Sequence, residues 1–77
     1  MSSLDTFNDL IKKTFDIEEI SDDLSPDSVE QWDSITHMDL CAKFEETFDI
    51  SLDVEDIAEM ETIGQIKEIL RKYNVEL

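Results

Sequence analysis

Glycine, cysteine and histidine occur once each in this chain of 77 residues, and each scarcity removes a class of chemistry. One cysteine forms no internal disulfide, and one cysteine with one histidine falls short of a four-ligand zinc site. A single glycine excludes the glycine-rich loops that cradle phosphates, and Gly64 lacks the frame of alternating acids that surrounds the glycine of a calcium loop. Basic residues are also few: 6 Lys and Arg stand against 21 Asp and Glu, a formal net charge of −15. A field of that sign repels nucleic acid and anionic membranes, so neither is an expected partner, and it speeds encounter with basic protein surfaces. No window approaches the run of about 18 apolar residues that spans a membrane. The opening Met1-Ser2-Ser3-Leu4-Asp5 has neither the basic nor the apolar region of a targeting signal. The expectation is a soluble monomer in the reducing cytoplasm.

What is present is enough apolar residue, 40% of the chain, to fold one domain over residues 1–77 with modest stability. Its spacing is helical. Leu4, Phe7, Ile11 and Phe15, with Leu10 beside them, form one stripe, and Ser2 with Asp5 has the form of a cap. The stretch from Asp16 to Trp32 has no sustained period and holds the only proline; Ile17, Ile20, Leu24, Val29 and Trp32 are spaced to anchor it as a packed connection. A central helix follows in the stretch Asp33–Phe48, opened by Ser34. At roughly 100° per residue, His37, Leu40, Cys41, Phe44 and Phe48 fall on its core side. Ile35, Asp39, Ala42 and Glu46 fall opposite, with Met38 on the flank. Asp49-Ile50-Ser51-Leu52 alternates like a short extended piece, and Asp53 suits the cap of a short helix from Val54 to Glu59. Thr62 and Gln65 have the capping-box spacing before a last helix whose stripe is Ile63, Ile66, Leu70 and Tyr73, with Ile69 adjoining. The fold class is all-α: a four-helix bundle with a long loop between helices 1 and 2 and a short third helix.

Pairs of carboxylates occur everywhere in so acidic a chain, so their spacing says nothing about acid or base catalysis. His37 lies one turn from Cys41, yet both project onto the core side, where a cysteine is a small hydrophobe. Trp32 reads as the anchor of the loop's end. Ser34 is most simply an N-cap that accepts a first-turn N–H, with Asp33 complementing the helix dipole. The same position also suits a covalently attached phosphate, because free N–H groups and the positive helix end stabilise a phosphodiester. The residues leave these two readings open.

Trp32-Asp33-Ser34-Ile35, followed by a helix ending in Phe44-Glu45-Glu46-Thr47-Phe48-Asp49-Ile50, resembles the acyl carrier proteins around their attachment motif, Asp-Ser-Leu. The likeness continues through Leu52, the short helix to Met60, and Thr62-Ile63-Gly64, which resembles the family's Thr-Val-Gly turn. The resemblance implies a bundle of acyl-carrier type. It also implies 4′-phosphopantetheine, taken from coenzyme A and attached to Ser34 by a separate phosphopantetheinyl transferase. Asp33 matches the motif aspartate that helps the transferase position its substrate and metal. The arm would hold acyl groups as thioesters and present them to loading and processing enzymes, while the carrier itself catalyses nothing. The outward face, Ile35, Met38, Asp39, Ala42 and Glu46 with Glu45 at its border, would then dock those enzymes' basic patches, extended by Glu55, Asp56 and Glu59 on the short helix.

Three departures bear on subtype. Ile35 replaces the motif leucine, Thr36 stands where fatty-acid-synthesis carriers commonly have an acid, and Gln31-Trp32 replaces a frequent Leu-Gly pair. They point to a discrete carrier of a dedicated pathway. The alternatives are an aminoacyl, peptidyl or D-alanyl carrier, which shares fold and serine, and a small acidic interaction module in which Ser34 is a plain cap.

Overall fold

Both long helices stop at the same four residues. In the computed structural model, which describes residues 2–77, α1 (Ser3–Phe15) runs into Thr14-Phe15-Asp16-Ile17 and α2 (Ser34–Phe48) into Thr47-Phe48-Asp49-Ile50. Asp16 (φ 55°, ψ 52°) and Asp49 (φ 55°, ψ 53°) both take the left-handed conformation. The N–H groups of Asp16 and Ile17 then donate to the Lys12 carbonyl, and those of Asp49 and Ile50 to the Glu45 carbonyl. Each reversal satisfies a carbonyl that a helix end leaves free and folds the following isoleucine back on the core. Two shorter helices complete the order, α3 (Val54–Glu59) and α4 (Ile63–Lys72). Among the described residues there is no strand, and no helix is long and apolar enough to cross a membrane.

The extended piece expected at Asp49–Leu52 therefore pairs with nothing. Asp49 is the cap of α2, and the Leu52 N–H donates to the Glu45 carboxylate at 2.9 Å. At the helix starts, Ser2 accepts from Asp5 N at 3.1 Å and the Asp5 carboxylate accepts from Ser2 N in return, a complete capping box. The box expected at α4 forms by half. Thr62 Oγ1 accepts from Gln65 N at 3.1 Å, but Gln65 Oε1 accepts from the N–H of Glu61, one residue further back.

The core joins Phe7, Ile11 and Phe15 of α1, Leu40, Cys41 and Phe44 of α2, and Ile63, Ile66, Ile69 and Leu70 of α4 in one cluster with Val29, Trp32, Met60 and Val75. Phe7 and Phe44 stack at 5.5 Å between α1 and α2. Phe48 is only partly buried, and Leu4, expected on the core stripe, is exposed. Leu4 lies at the first turn of α1, on a shallow surface shared with the C-terminal segment around Arg71, Val75 and Leu77.

The long loop is fastened at both ends. Trp32 is buried and stacks on Phe15 at 4.9 Å. Further back, the carbonyls of Leu24 and Asp22 accept the first N–H groups of α4, from Ile63 at 3.0 Å and Gly64 at 2.9 Å, and Lys67 Nζ reaches the Asp22 carboxylate at 2.8 Å. The loop thus supplies acceptors that the start of α4 lacks within itself. Gly64 makes this approach possible, since a Cβ there would stand 3.3 Å from both the Cβ and the carbonyl oxygen of Asp22.

Candidate functional site

The N-terminus of α2 divides its tasks between two residues. Asp33 has extended backbone (φ −106°, ψ −177°), and its Oδ1 accepts from Thr36 N at 2.8 Å. The cap is therefore Asp33, not Ser34 as its residue type suggested, because Ser34 already has helical geometry and a cap must precede it. Ser34 is exposed at the first helical position. The hydrogen bond from the Thr36 backbone holds the Asp33 carboxyl below the usual carboxylate range. A permanent negative charge thus sits at the positive helix end, next to a serine hydroxyl that the cap does not use.

Ser34 stands on an open cleft of about 760 Å³ whose walls come from the loop, α2 and α3. Pro26, Trp32, Met38, Val54 and Met60 give it an apolar lining, and Asp27, Asp33 and Glu61 supply carboxylates. The residues fit a phosphopantetheine group: an exposed hydroxyl, a helix start for the phosphate, and an adjoining cleft for a flexible chain.

His37 and Cys41 do not form a reactive pair. Trp32 Nε1 donates to His37 Nδ1 at 2.9 Å, and an indole N–H can only donate, so the proton of the neutral imidazole lies on Nε2. From there it is donated to the Ile57 carbonyl at 2.8 Å. Cys41 is buried with its Sγ 3.6 Å from Met60 Sδ, and desolvation, helped by the charge of Glu45, pushes its thiol up to about 11. It is a core residue. His37 is half-buried and spans three segments, a role that its position on the core side did not disclose.

Of the outward residues, Ile35 (82% exposed) and Met38 (54%) lie open, as do Ala42 and Glu46. Asp39 is exposed but paired with Lys43 Nζ at 3.1 Å. Glu45 turns its carboxylate back to the Leu52 N–H, which takes it off the docking face expected for it. Asp56 does not belong to that face either. It is 7% exposed and accepts from Lys72 Nζ at 2.8 Å and from Tyr73 Oη, because the first turn of α3 points it at the end of α4. Glu55 and Glu59 remain exposed. Val54, 82% exposed, joins Met38 on the cleft, beyond the residues that the sequence pattern assigns to the outward face. Its signal was an apolar residue directly after the Asp53 cap.

The family model described as "Phosphopantetheine attachment site" matches residues 5–70. Among solved structures, a chain assigned as an acyl carrier protein from Mycobacterium tuberculosis superposes with a TM-score of 0.83 at 18% identity, over 94% of this chain and 99% of that one. A holo acyl carrier protein from Geobacter metallireducens, solved by solution NMR, gives a TM-score of 0.74 at 21% identity, over 100% of this chain and 97% of its own. Comparison with curated proteins yields no match.

Proposed function

Because the chain belongs to the family defined by the phosphopantetheine attachment site, a carrier of covalently bound 4′-phosphopantetheine and not an enzyme, we propose that Ser34 bears the arm and that the cargo is acyl. The observation that carries this reading is the division at the start of α2: Asp33 takes the cap, so the neighbouring hydroxyl stays exposed on the cleft. When bound, the arm supplies a terminal thiol for thioester linkage. The chain's own residues do the rest. The first-turn N–H groups and the helix dipole stabilise phosphate at Ser34, and Asp33 keeps that turn in one geometry.

The apolar lining of Pro26, Trp32, Met38, Val54 and Met60 supports acyl over aminoacyl cargo, since it offers methyl and ring surface to a hydrocarbon chain. Ile35, Met38, Ala42 and Val54 supply an apolar docking patch, and Asp39, Glu46, Glu55 and Glu59 its acidic border. Border charges of this kind raise association rates and choose partners more than they add affinity, which suits a carrier that must leave each enzyme quickly. Ile35, Thr36 and Gln31-Trp32 favour a carrier of a dedicated pathway.

The test is intact mass after incubation with coenzyme A and a broad-specificity phosphopantetheinyl transferase. One phosphopantetheine adduct is expected, absent in Ser34→Ala; an adduct that survives that substitution, or none on the unaltered chain, refutes the assignment. Loading of the modified chain by an acyl-activating but not an aminoacyl-activating enzyme is the outcome expected for the cargo.

A further inference from the structure

We propose that His37 is a latch that holds α3 against α2, and that protonation of its ring releases α3 and widens the cleft beside Ser34. It goes beyond the carrier reading and rests on it only for what the cleft would hold. The latch itself belongs to the bare chain.

The geometry leaves one site for a second proton. Nδ1 accepts the Trp32 indole N–H and Nε2–H is donated to the Ile57 carbonyl. Protonation at Nδ1 therefore sets two N–H groups head to head. Trp32 is 4% exposed and stacked on Phe15, so the indole has no room to turn. The half-buried imidazole is the partner that moves, and in moving it withdraws Nε2–H from Ile57. Histidine is the side chain whose ordinary charge change falls between about pH 5 and 8.

α3 is built to respond. It has six residues, Asp53 makes no side-chain capping bond to it, and its one buried residue is a carboxylate, Asp56. Its apolar contacts are the partly buried Ile57 and, at its end, Met60 buried beside Cys41, and the polar anchors at the Ile57 carbonyl and at Asp56 add to them. The second anchor lies on the opposite side, where Lys72 and Tyr73 hold Asp56. Those two hydrogen bonds keep the Asp56 carboxyl below its usual range, so that anchor stays charged throughout the pH range above it. Losing the His37 anchor while keeping the α4 anchor and the Met60–Cys41 contact at its end is a hinge motion and not unfolding.

The charged groups that line the cleft bear one sign, and the cation that meets α3, Lys72, is held at Asp56. The loop contributes Asp27, the start of α2 contributes Asp33, the segment after α3 contributes Glu61, and α3 carries the exposed Glu55 and Glu59. Cys41, one turn along α2, is uncharged, and from α1 the ring of Phe15 stacks on Trp32. An imidazolium is drawn out towards the cleft rim, away from the indole. His37, Met38, Val54, Ile57 and Ala58 all line the cleft, so a displaced α3 moves one wall of it.

The chain has one tryptophan and one histidine, so the indole N–H and imidazole resonances are each unique in an NMR spectrum. The experiment follows both through a pH series on the unmodified chain, together with amide-exchange protection factors for every helix. Expected are a single midpoint shared by the indole N–H and the imidazole, and α3 protection about tenfold lower below it, the effect of one hydrogen bond of ordinary net strength, with α1 and α4 unchanged. In Trp32→Phe the head-to-head contact is gone, so α3 protection is expected not to follow the histidine. An indole signal that ignores the imidazole titration overturns the proposal, as does unchanged α3 protection or a parallel fall in all four helices. Because the chain carries no arm in this experiment, a failure here leaves the attachment at Ser34 to its own test.

Discussion

The backbone N–H of Gly64 donates to the carbonyl of Asp22 at 2.9 Å, tying the first turn of α4 to the loop that follows α1. Gly64→Ala puts a methyl group 3.3 Å from two Asp22 atoms, one of them the carbonyl oxygen of that same bond. Alanine's helix propensity favours the substitution, less in the first turn than mid-helix, but the crowded loop is held by Lys67 and Trp32 and gives way poorly. A net loss of about 1 kcal/mol is expected. Thermal unfolding by circular dichroism should show a fall of roughly 4–8 °C for a domain of this size; a higher melting temperature would mean that the loop yields freely.

The two faces of α2 should separate cleanly in stability. Phe44 is fully buried against Phe7, whereas Ile35 is 82% exposed. Phe44→Ala is expected to cost about 3–5 kcal/mol, much of the stability of a chain this short, while Ile35→Ala should stay within about 0.5 kcal/mol. Urea titrations of both variants decide it, and a larger effect at Ile35 would reverse the assignment of faces.

Asp56 makes stability depend on pH with a defined sign. Its hydrogen bonds from Lys72 and Tyr73 lower its folded-state pKa from 3.8, so its contribution is complete above that value and is lost as pH falls through the folded one. The melting temperature of Asp56→Asn should therefore lie below that of the unaltered chain at neutral pH, and the gap should close in strong acid. Lys72 and Tyr73, both raised by the same contact, add stability that is present below their ordinary values and lost as pH rises through the folded ones. A gap that is constant from neutral to strongly acid pH would contradict the Asp56 assignment.

The left-handed aspartates offer stability in reserve. A non-glycine residue in that conformation is strained by roughly 1 kcal/mol, and glycine is the usual occupant after a helix. Asp49→Gly and Asp16→Gly are each expected to raise the melting temperature. Asp49→Asn, which removes the charge but keeps a side chain tolerant of the conformation, should gain less, and an equal gain would assign the effect to charge.

The helices were legible because period and caps speak locally. Phe7, Ile11 and Phe15, or Ile63, Ile66 and Leu70, declare their side at 3.6 residues per turn, and all four elements stand where these signals put them. The repeated Thr-Phe-Asp-Ile was also in plain view, but an aspartate reveals its left-handed backbone only when the chain reverses behind it. The site was legible in part. Asp33 and Ser34 are both cap residues by type, and only the backbone angles decide which one precedes the helix. Asp56 and Glu45 read as surface charge because nothing near them in sequence announces their partners, Lys72, Tyr73 and the Leu52 N–H. The helical period puts His37 on the core side of α2, while its contacts with Trp32 and Ile57 are matters of tertiary packing.

Cys41 has a practical consequence. Its sulfur is buried against Met60 and its thiol is pushed up to about 11, so at neutral pH the polypeptide presents no accessible thiolate. Any thiol that reacts quickly with a disulfide reagent in the folded protein must then belong to the prosthetic arm. A colorimetric thiol count reads the fraction of chains carrying a free arm directly, with no need to replace the cysteine. Comparing that count before and after hydroxylamine would give the fraction already loaded.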